Sequence, residues 1–201
     1  MPAEFKPRLV LASASAARRS LLAAAGVACE VVPSSVDEAA LKIGLFGQPP
    51  FAVATQLAAA KAASVSEAHP DALVIGADQV LDLDGAVFDK PADLPTARDH
   101  LRQLRRKTHA LHAAVALACG GAIVWRHVES AQLTMRGFSD AFLDAYLVAS
   151  GDRVLGSVGA YQLEGLGLQL FEAIDGDYTT ILGLPMLPLL AELRRMGHLS
   201  D

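Results

Sequence analysis

The chain predicts an α/β fold: a mixed, twisted sheet with flanking helices, arranged as two lobes around a cleft. Two observations carry this. Residues 9–26 (LVLASASAARRSLLAAAG) read as a buried strand that passes through a serine-bearing turn into a helix closed by Gly26. Residues 108–118 and 122–135 read as two long strands joined by Gly120 and Gly121, which makes an antiparallel pair. A βα opening combined with a long hairpin implies a mixed sheet.

The remaining elements follow in order. Residues 27–32 alternate as a strand and stop at Pro33. Residues 34–38 form a loop entering a short helix, with Ser35 or Asp37 as its cap. Gly44, Gly47, Pro49 and Pro50 break the chain before an alanine-rich helix over 51–68. Residues 72–77 (ALVIGA) are too short an apolar run for a helix and read as a buried strand. Residues 79–90 read as a hairpin about Asp84-Gly85. Helices are expected over 96–106, over 139–148 and, with Pro185 in the first turn, over 184–196. Between the last two lie a glycine-rich segment (156–167) and short pieces at 168–174 and 178–182.

At 201 residues, 52% hydrophobic and 19% charged, the chain is long and apolar enough for a substantial core, read as one domain over residues 1–201. A net charge of −5 argues against a general nucleic-acid or membrane-surface binder, so any cationic site is local. Cys29 and Cys119 sit in apolar runs without CxxC spacing and read as buried thiols. The first ten residues carry no signal-peptide pattern, and no run approaches a membrane span. The expectation is a soluble cytoplasmic protein. A homodimer is compatible with the chain, although no residue demands one.

Chemistry is expected first at the strand-turn-helix of residues 9–26. Free backbone N–H groups, the hydroxyls of Ser13 and Ser15, and the positive end of a helix converge there, and Arg18 and Arg19 add fixed cations. That points to an anion, with phosphate the best match. Asp78 follows ALVIGA, where ligands gather beyond strand ends. There it either caps a turn or holds a metal and activates water. Helical spacing alone makes Lys61 a solvated lysine, Lys90 a surface lysine beside Pro91, and Glu38 a residue matched to a helix dipole. Arg18 and Arg19 could equally pair with Glu30 or Asp37. His109 and His112, three apart on a strand, point to opposite faces and make a poor metal pair. Asp82, Asp84 and Gly85 open like a calcium loop, but Ala86, Val87 and Phe88 cannot continue one. No GxSxG elbow accompanies the serines, and Gly165 and Gly167 make only part of a dinucleotide motif.

Taken together, the blocks resemble the Maf family of nucleoside triphosphate pyrophosphatases. They are LASAS with RR before LL (11–22), VDE (36–38), the lysine of AAAKAA (Lys61), VIGADQVL (74–81), DKP (89–91), GAYQLEGLG (159–167) and GDYTTILGLP (176–185). The resemblance spans nearly the whole chain. It implies a fold similar to that of the inosine-triphosphatase-like proteins, and hydrolysis of a nucleoside triphosphate to monophosphate and pyrophosphate with Mg²⁺ or Mn²⁺. It also implies Asp78 as proton acceptor, Glu38 and Asp78 as metal ligands, and Ser13, Ser15, Arg18, Lys61 and Lys90 as a substrate-binding set. Gln79 and Glu164 are similar to the subgroup acting on 7-methyl-GTP. That subgroup carries Pro-Trp before the arginines, where Ala16 and Ala17 stand here, so the aromatic able to stack on a cationic base is absent and base specificity at Ala17, Gln79 and Glu164 stays open. The alternatives are a nucleotide-binding regulator of septum formation with little turnover, and an unrelated phosphate-binding α/β protein.

Overall fold

Residues 7–200 are described by a computed structural model; residues 1–6, part of the stretch read above for a targeting signal, lie outside it. In its first half the chain forms β1 (Arg8–Leu11), α1 (Ala16–Ala24), β2 (Glu30–Val31), α2 (Glu38–Gly44), α3 (Pro50–Ala68), β3 (Ala72–Leu83) and β4 (Ala86–Phe88). The second half forms α4 (Leu94–Leu104), β5 (Thr108–Cys119), β6 (Ala122–Met135), α5 (Asp140–Ser150), β7 (Phe171–Asp175), α6 (Tyr178–Ile181) and α7 (Met186–Arg195). The seven strands make one mixed sheet in the order β2-β1-β3-β5-β6-β7, with β4 also on β3. β2, β1 and β3 run parallel, and the other pairings are antiparallel.

Strand alternation sorts the core. On β3 and β5, Val80, Ala114, Ala116 and Ala118 pack with Leu57, Ala58 and Ala62 of α3 on one face. On the other face, Leu73, Ile75 and Ala77 pack with Leu22 of α1 and Leu189 and Leu193 of α7. Further along that second face, Leu81, Leu83 and Leu111 pack with Leu101 and Leu104 of α4 and Leu143 and Leu147 of α5. Asp78 and Gln79 fall between these two clusters. They point to opposite faces because they are consecutive on one strand.

Two features of β3 position everything that follows. The first is its contact with α3. A Cβ built on Gly76 would lie 2.3 Å from the Ala58 carbonyl oxygen and 2.6 Å from the Ala62 nitrogen, so only glycine lets the helix backbone come this near. The alanines of AAAKAA therefore serve a close approach, and Lys61 rides on the same contact. The second feature is a gap in the strand's edge. β1 pairs with β3 only as far as Ile75, and β4 takes over only from Leu81. Ala12 N–H takes the Ile75 carbonyl at 2.8 Å, and the next carbonyl on that edge, Ala77, accepts from Arg18 Nη1 at 3.0 Å instead of from a strand.

The structure corrects several expected boundaries. Residues 72–83 form one strand, so Asp78 lies inside it rather than beyond its end; the antiparallel ladder to β5 runs through from Val74 to Asp82. The Asp84-Gly85 hairpin is present, with both residues at positive φ as a two-residue turn requires. β2 shrinks to two residues, which leaves Cys29 outside it, and both cysteines are free and half-buried rather than buried. Short 3-10 turns at Gly151–Gly156 and Leu166–Leu170, not anticipated from the sequence, flank the glycine-rich segment. Among the described residues, no helix is long and apolar enough to cross a membrane.

Gly76→Ala is expected to cost about 3 kcal/mol, because the added methyl meets backbone rather than a yielding side chain. The midpoint of urea unfolding at unchanged slope measures it; a shift below about 0.5 kcal/mol would show that the α3 contact is not tight.

Candidate active site

A cleft of about 460 Å³ opens where β3 lacks an edge partner. Its floor is an ion pair between buried side chains, with Lys61 Nζ 2.6 Å from Asp78 Oδ1. Each group supplies the counter-charge that the other needs once water is withdrawn. The same ammonium lies 2.9 Å from Glu38 Oε1, which is far more exposed. Glu38 reaches this point because Asp37 caps α2 at Ala40 N–H and starts the helix with Glu38 turned to the cleft wall. Lys61 is thus a buried lysine, not the solvated one that helical spacing suggests. Asp78 Oδ2 makes no bond to another described residue.

Arg18 forms the opposite wall. Its Nε donates to the Gly183 carbonyl at 2.8 Å, and its Nη1 donates to Ser13 Oγ at 3.1 Å as well as to Ala77. Burial pushes its pKa below the usual value while Asp78 and Glu38 act in the other direction; the guanidinium stays cationic at neutral pH. The serines build this wall from within. Ser13 is buried and accepts from Ser15 N–H and from Arg18, whereas Ser15 lines the cleft and caps α1 at Arg18 N–H. Arg19 is exposed. Neither arginine pairs with Glu30 or Asp37: Glu30 binds Arg8 and Asp37 serves as a cap.

Lys90 is exposed at the cleft rim beside Asp89, which is bonded to Lys42. The sequence reading missed Lys42, although it stands four residues after Glu38 and so on the same helix face. Gln79 turns to the other face of β3. Its Nε2 donates to the carbonyls of Thr180 (3.1 Å) and Ile181 (2.9 Å), which spends both amide hydrogens on holding that turn. Ala17 lines the cleft with a methyl side chain, and Glu164 is exposed at its far wall.

That far wall, residues 156–164, hangs on a pair the sequence reading did not single out. Tyr161 hydroxyl and His109 Nε2 are 2.7 Å apart, both buried. Tyr161 folds back over Gly159, where a Cβ would strike its ring at 2.2 Å; between them Ala160 holds a left-handed φ of 57°. Tyr146 hydroxyl ties the Ala160 carbonyl at 3.2 Å. Burial lowers the His109 pKa to about 4 and raises that of the Tyr161 phenol, so at neutral pH both are uncharged. His112 lies on the opposite face, bonded to Ser130 and Asp82, which accounts for the histidines not meeting.

Cations from three helices and from the loop after β4 therefore converge with the Glu38 and Asp78 carboxylates on a groove at a break in a sheet edge. Among the described residues no group of three His, Cys, Asp or Glu side chains could hold a metal. Glu38 and Asp78, gathered on one ammonium, fit a hard cation that takes one or two carboxylates and completes its shell from phosphate and water. The arrangement defines an α/β protein with a cation-lined cleft suited to polyanionic phosphate. The chain belongs to the Maf family: the family model described as Maf-like protein matches residues 8–196. A 7-methyl-GTP pyrophosphatase of Rhizobium meliloti is 52% identical over 198 residues, covering 98% of this chain and 100% of that protein. A nucleoside triphosphate pyrophosphatase of Paramagnetospirillum magneticum is 53% identical over 192 residues, covering 94% and 99%.

Because the folded His109 titrates near 4 and an unfolded histidine near 6.5, the unfolded chain binds more protons between those values. The contribution of neutral His109 is complete above about pH 6.5 and is lost as pH falls toward 4, a change of about 3 kcal/mol. Urea unfolding at pH 7 and at pH 4.5 measures this loss, and His109→Gln should flatten it; an equal slope in the variant would assign the acid sensitivity elsewhere.

Proposed function

We propose that this chain hydrolyses nucleoside triphosphates to monophosphate and pyrophosphate. The observation that carries the proposal is the Asp78–Lys61 pair, with Glu38, on the floor of a groove lined by Arg18, Lys42 and Lys90. Relatives with this activity in their names align over almost their full length. Reading the two apolar clusters as two lobes of one domain puts the substrate between them.

In this reading the triphosphate lies along the groove. Asp78 Oδ2 takes a proton from water as its oxygen bonds the α-phosphorus and the bond to the bridging oxygen of the β-phosphate breaks. Lys61 holds Asp78 in place and adds positive charge beside the reacting phosphate. Arg18 and Lys90 meet the charge that builds on departing pyrophosphate, and Arg18 does so without moving because Ser13, Ala77 and Gly183 fix it. Ser15 and the first amides of α1 offer donors to a phosphate oxygen. Glu38 and Asp78 would hold Mg²⁺ or Mn²⁺, which supplies charge neutralisation at phosphate oxygens. A protein that only sensed nucleotide would have no use for a buried carboxylate beside the reacting phosphate, and this favours turnover over a purely regulatory role.

Pyrophosphate release from a nucleotide panel with Mg²⁺ or Mn²⁺ is the test. Release by the parent and a loss of at least a hundredfold in Asp78→Asn, with nucleotide binding kept, is expected. Binding without release from any nucleotide would return the regulator.

A further inference from the structure

One ion pair at the mouth of the groove is not used by the hydrolysis proposed at Asp78. Lys42 of α2 is bonded to Asp89, in the loop after β4, and both side chains line the groove. The two ends of this bridge are anchored differently. Asp89 and Lys90 sit between Phe88 and Pro91, both buried, so the rim that carries them is held from each side. α2 buries none of its residues fully: Leu41 rests half-covered on the α3 cluster, while Ile43 and the nearby Phe46 ring stand in water. On the groove side α2 is held by polar contacts, namely the Asp37 cap, Glu38 on Lys61, and Lys42 on Asp89.

The bridge is built to be exchanged. The Lys42 side chain is 31% exposed and that of Asp89 71%, and an ion pair so open to water gains little over its separate, hydrated partners. A terminal phosphate carries more charge than a carboxylate and makes strong charge-assisted bonds to an ammonium, so replacing Asp89 by phosphate costs little. The placement of Lys42 also suits a phosphate chain. Lys42 follows Glu38 by four residues on one face of α2, about 6 Å along the helix. Glu38 meets Asp78 on the shared Lys61 ammonium. One helical turn from there is on the scale of the two anhydride links that separate the α- and γ-phosphates of a triphosphate.

We propose that Lys42 is the γ-phosphate ligand of this cleft and that Asp89 is its counter-ion in the free protein, so that the pair gauges the length of the phosphate chain. The proposal rests on hydrolysis at the α-phosphorus beside Asp78. A triphosphate reaches Lys42 and takes it from Asp89, which stays hydrated on its fixed rim while α2 follows the ammonium. A diphosphate ends short of Lys42, leaves the bridge closed and gains nothing from it. Lys42 thus favours the substrate whose cleavage releases pyrophosphate, whereas Arg18 and Lys90 meet phosphate charge in either.

The experiment is titration calorimetry of Asp78→Asn protein in Mg²⁺ with GTP, GDP, UTP and UDP, alongside pyrophosphate release by the parent. Adding Lys42→Met should weaken triphosphate binding about tenfold and change diphosphate binding less than about twofold, and Lys42→Arg should recover most of the loss. Asp89→Asn should act in the opposite direction and tighten triphosphate binding about threefold, because the ammonium has no partner to give up. A bridge that merely held α2 in place would make both variants weaker binders, of triphosphate and diphosphate alike. With Asp78 intact, Lys42→Met should raise KM for the triphosphate more than it lowers kcat. Weaker triphosphate binding in Asp89→Asn, or a Lys42→Met change that is nil or equal for triphosphate and diphosphate, overturns the gauge; pyrophosphate release by the parent then leaves the activity standing. Absence of both binding and release in the parent overturns the activity, and the gauge with it.

Discussion

The ion pair between Lys61 and Asp78 is the interaction on which the rest of this structure depends. Two charges nearly withdrawn from water are costly unless each finds the other with good geometry. That geometry comes from a helix pressed unusually close to a strand, which only Gly76 permits. The alanines on either side of Lys61 keep the surrounding contact thin enough for the lysine to reach the sheet. Fold and site are thus one arrangement: the packing of α3 on β3 aims the ammonium, and the ammonium holds the carboxylate.

A second constraint decides where the pair becomes accessible. β3 is covered along one edge by β5 but meets β1 and β4 on the other edge with an interval between them. An unpaired strand edge must find other donors, and Arg18 supplies one to Ala77. The substitution of a side chain for a strand opens the groove and places a cation in it. The carbonyl of Gly183 and the hydroxyl of Ser13 then leave the guanidinium little freedom, so the groove is organised before any ligand arrives.

Much of this was legible in the residues. The mixed sheet followed from the βα opening and the long hairpin, because apolar runs and glycine turns act locally. Arg18 stood out through residue type and position, Asp78 did so as one of two readings beside a turn cap, and Glu38 entered only through the resemblance to the Maf blocks. The place of Lys61 was not visible: helical spacing put it in solvent, and its burial depends on a strand that follows it in the chain. Gln79 lines the cleft, and what its sequence position did not show is that its Nε2 hydrogens hold the turn at residues 180–181. Tyr161 and His109 are 52 residues apart and carry no joint signal in the sequence.

The sequence by itself determined the family blocks, the element types and the residues with chemistry to offer, since these rest on local periodicity and on side-chain type. Only the tertiary structure decided which charge is buried, which amide is spent and which aromatic is exposed. The physical reason is that burial and hydrogen-bond partnership belong to pairs of segments. They are set by the meeting of α3 with β3 and of α6 with Gln79, and no single segment of the chain contains either encounter.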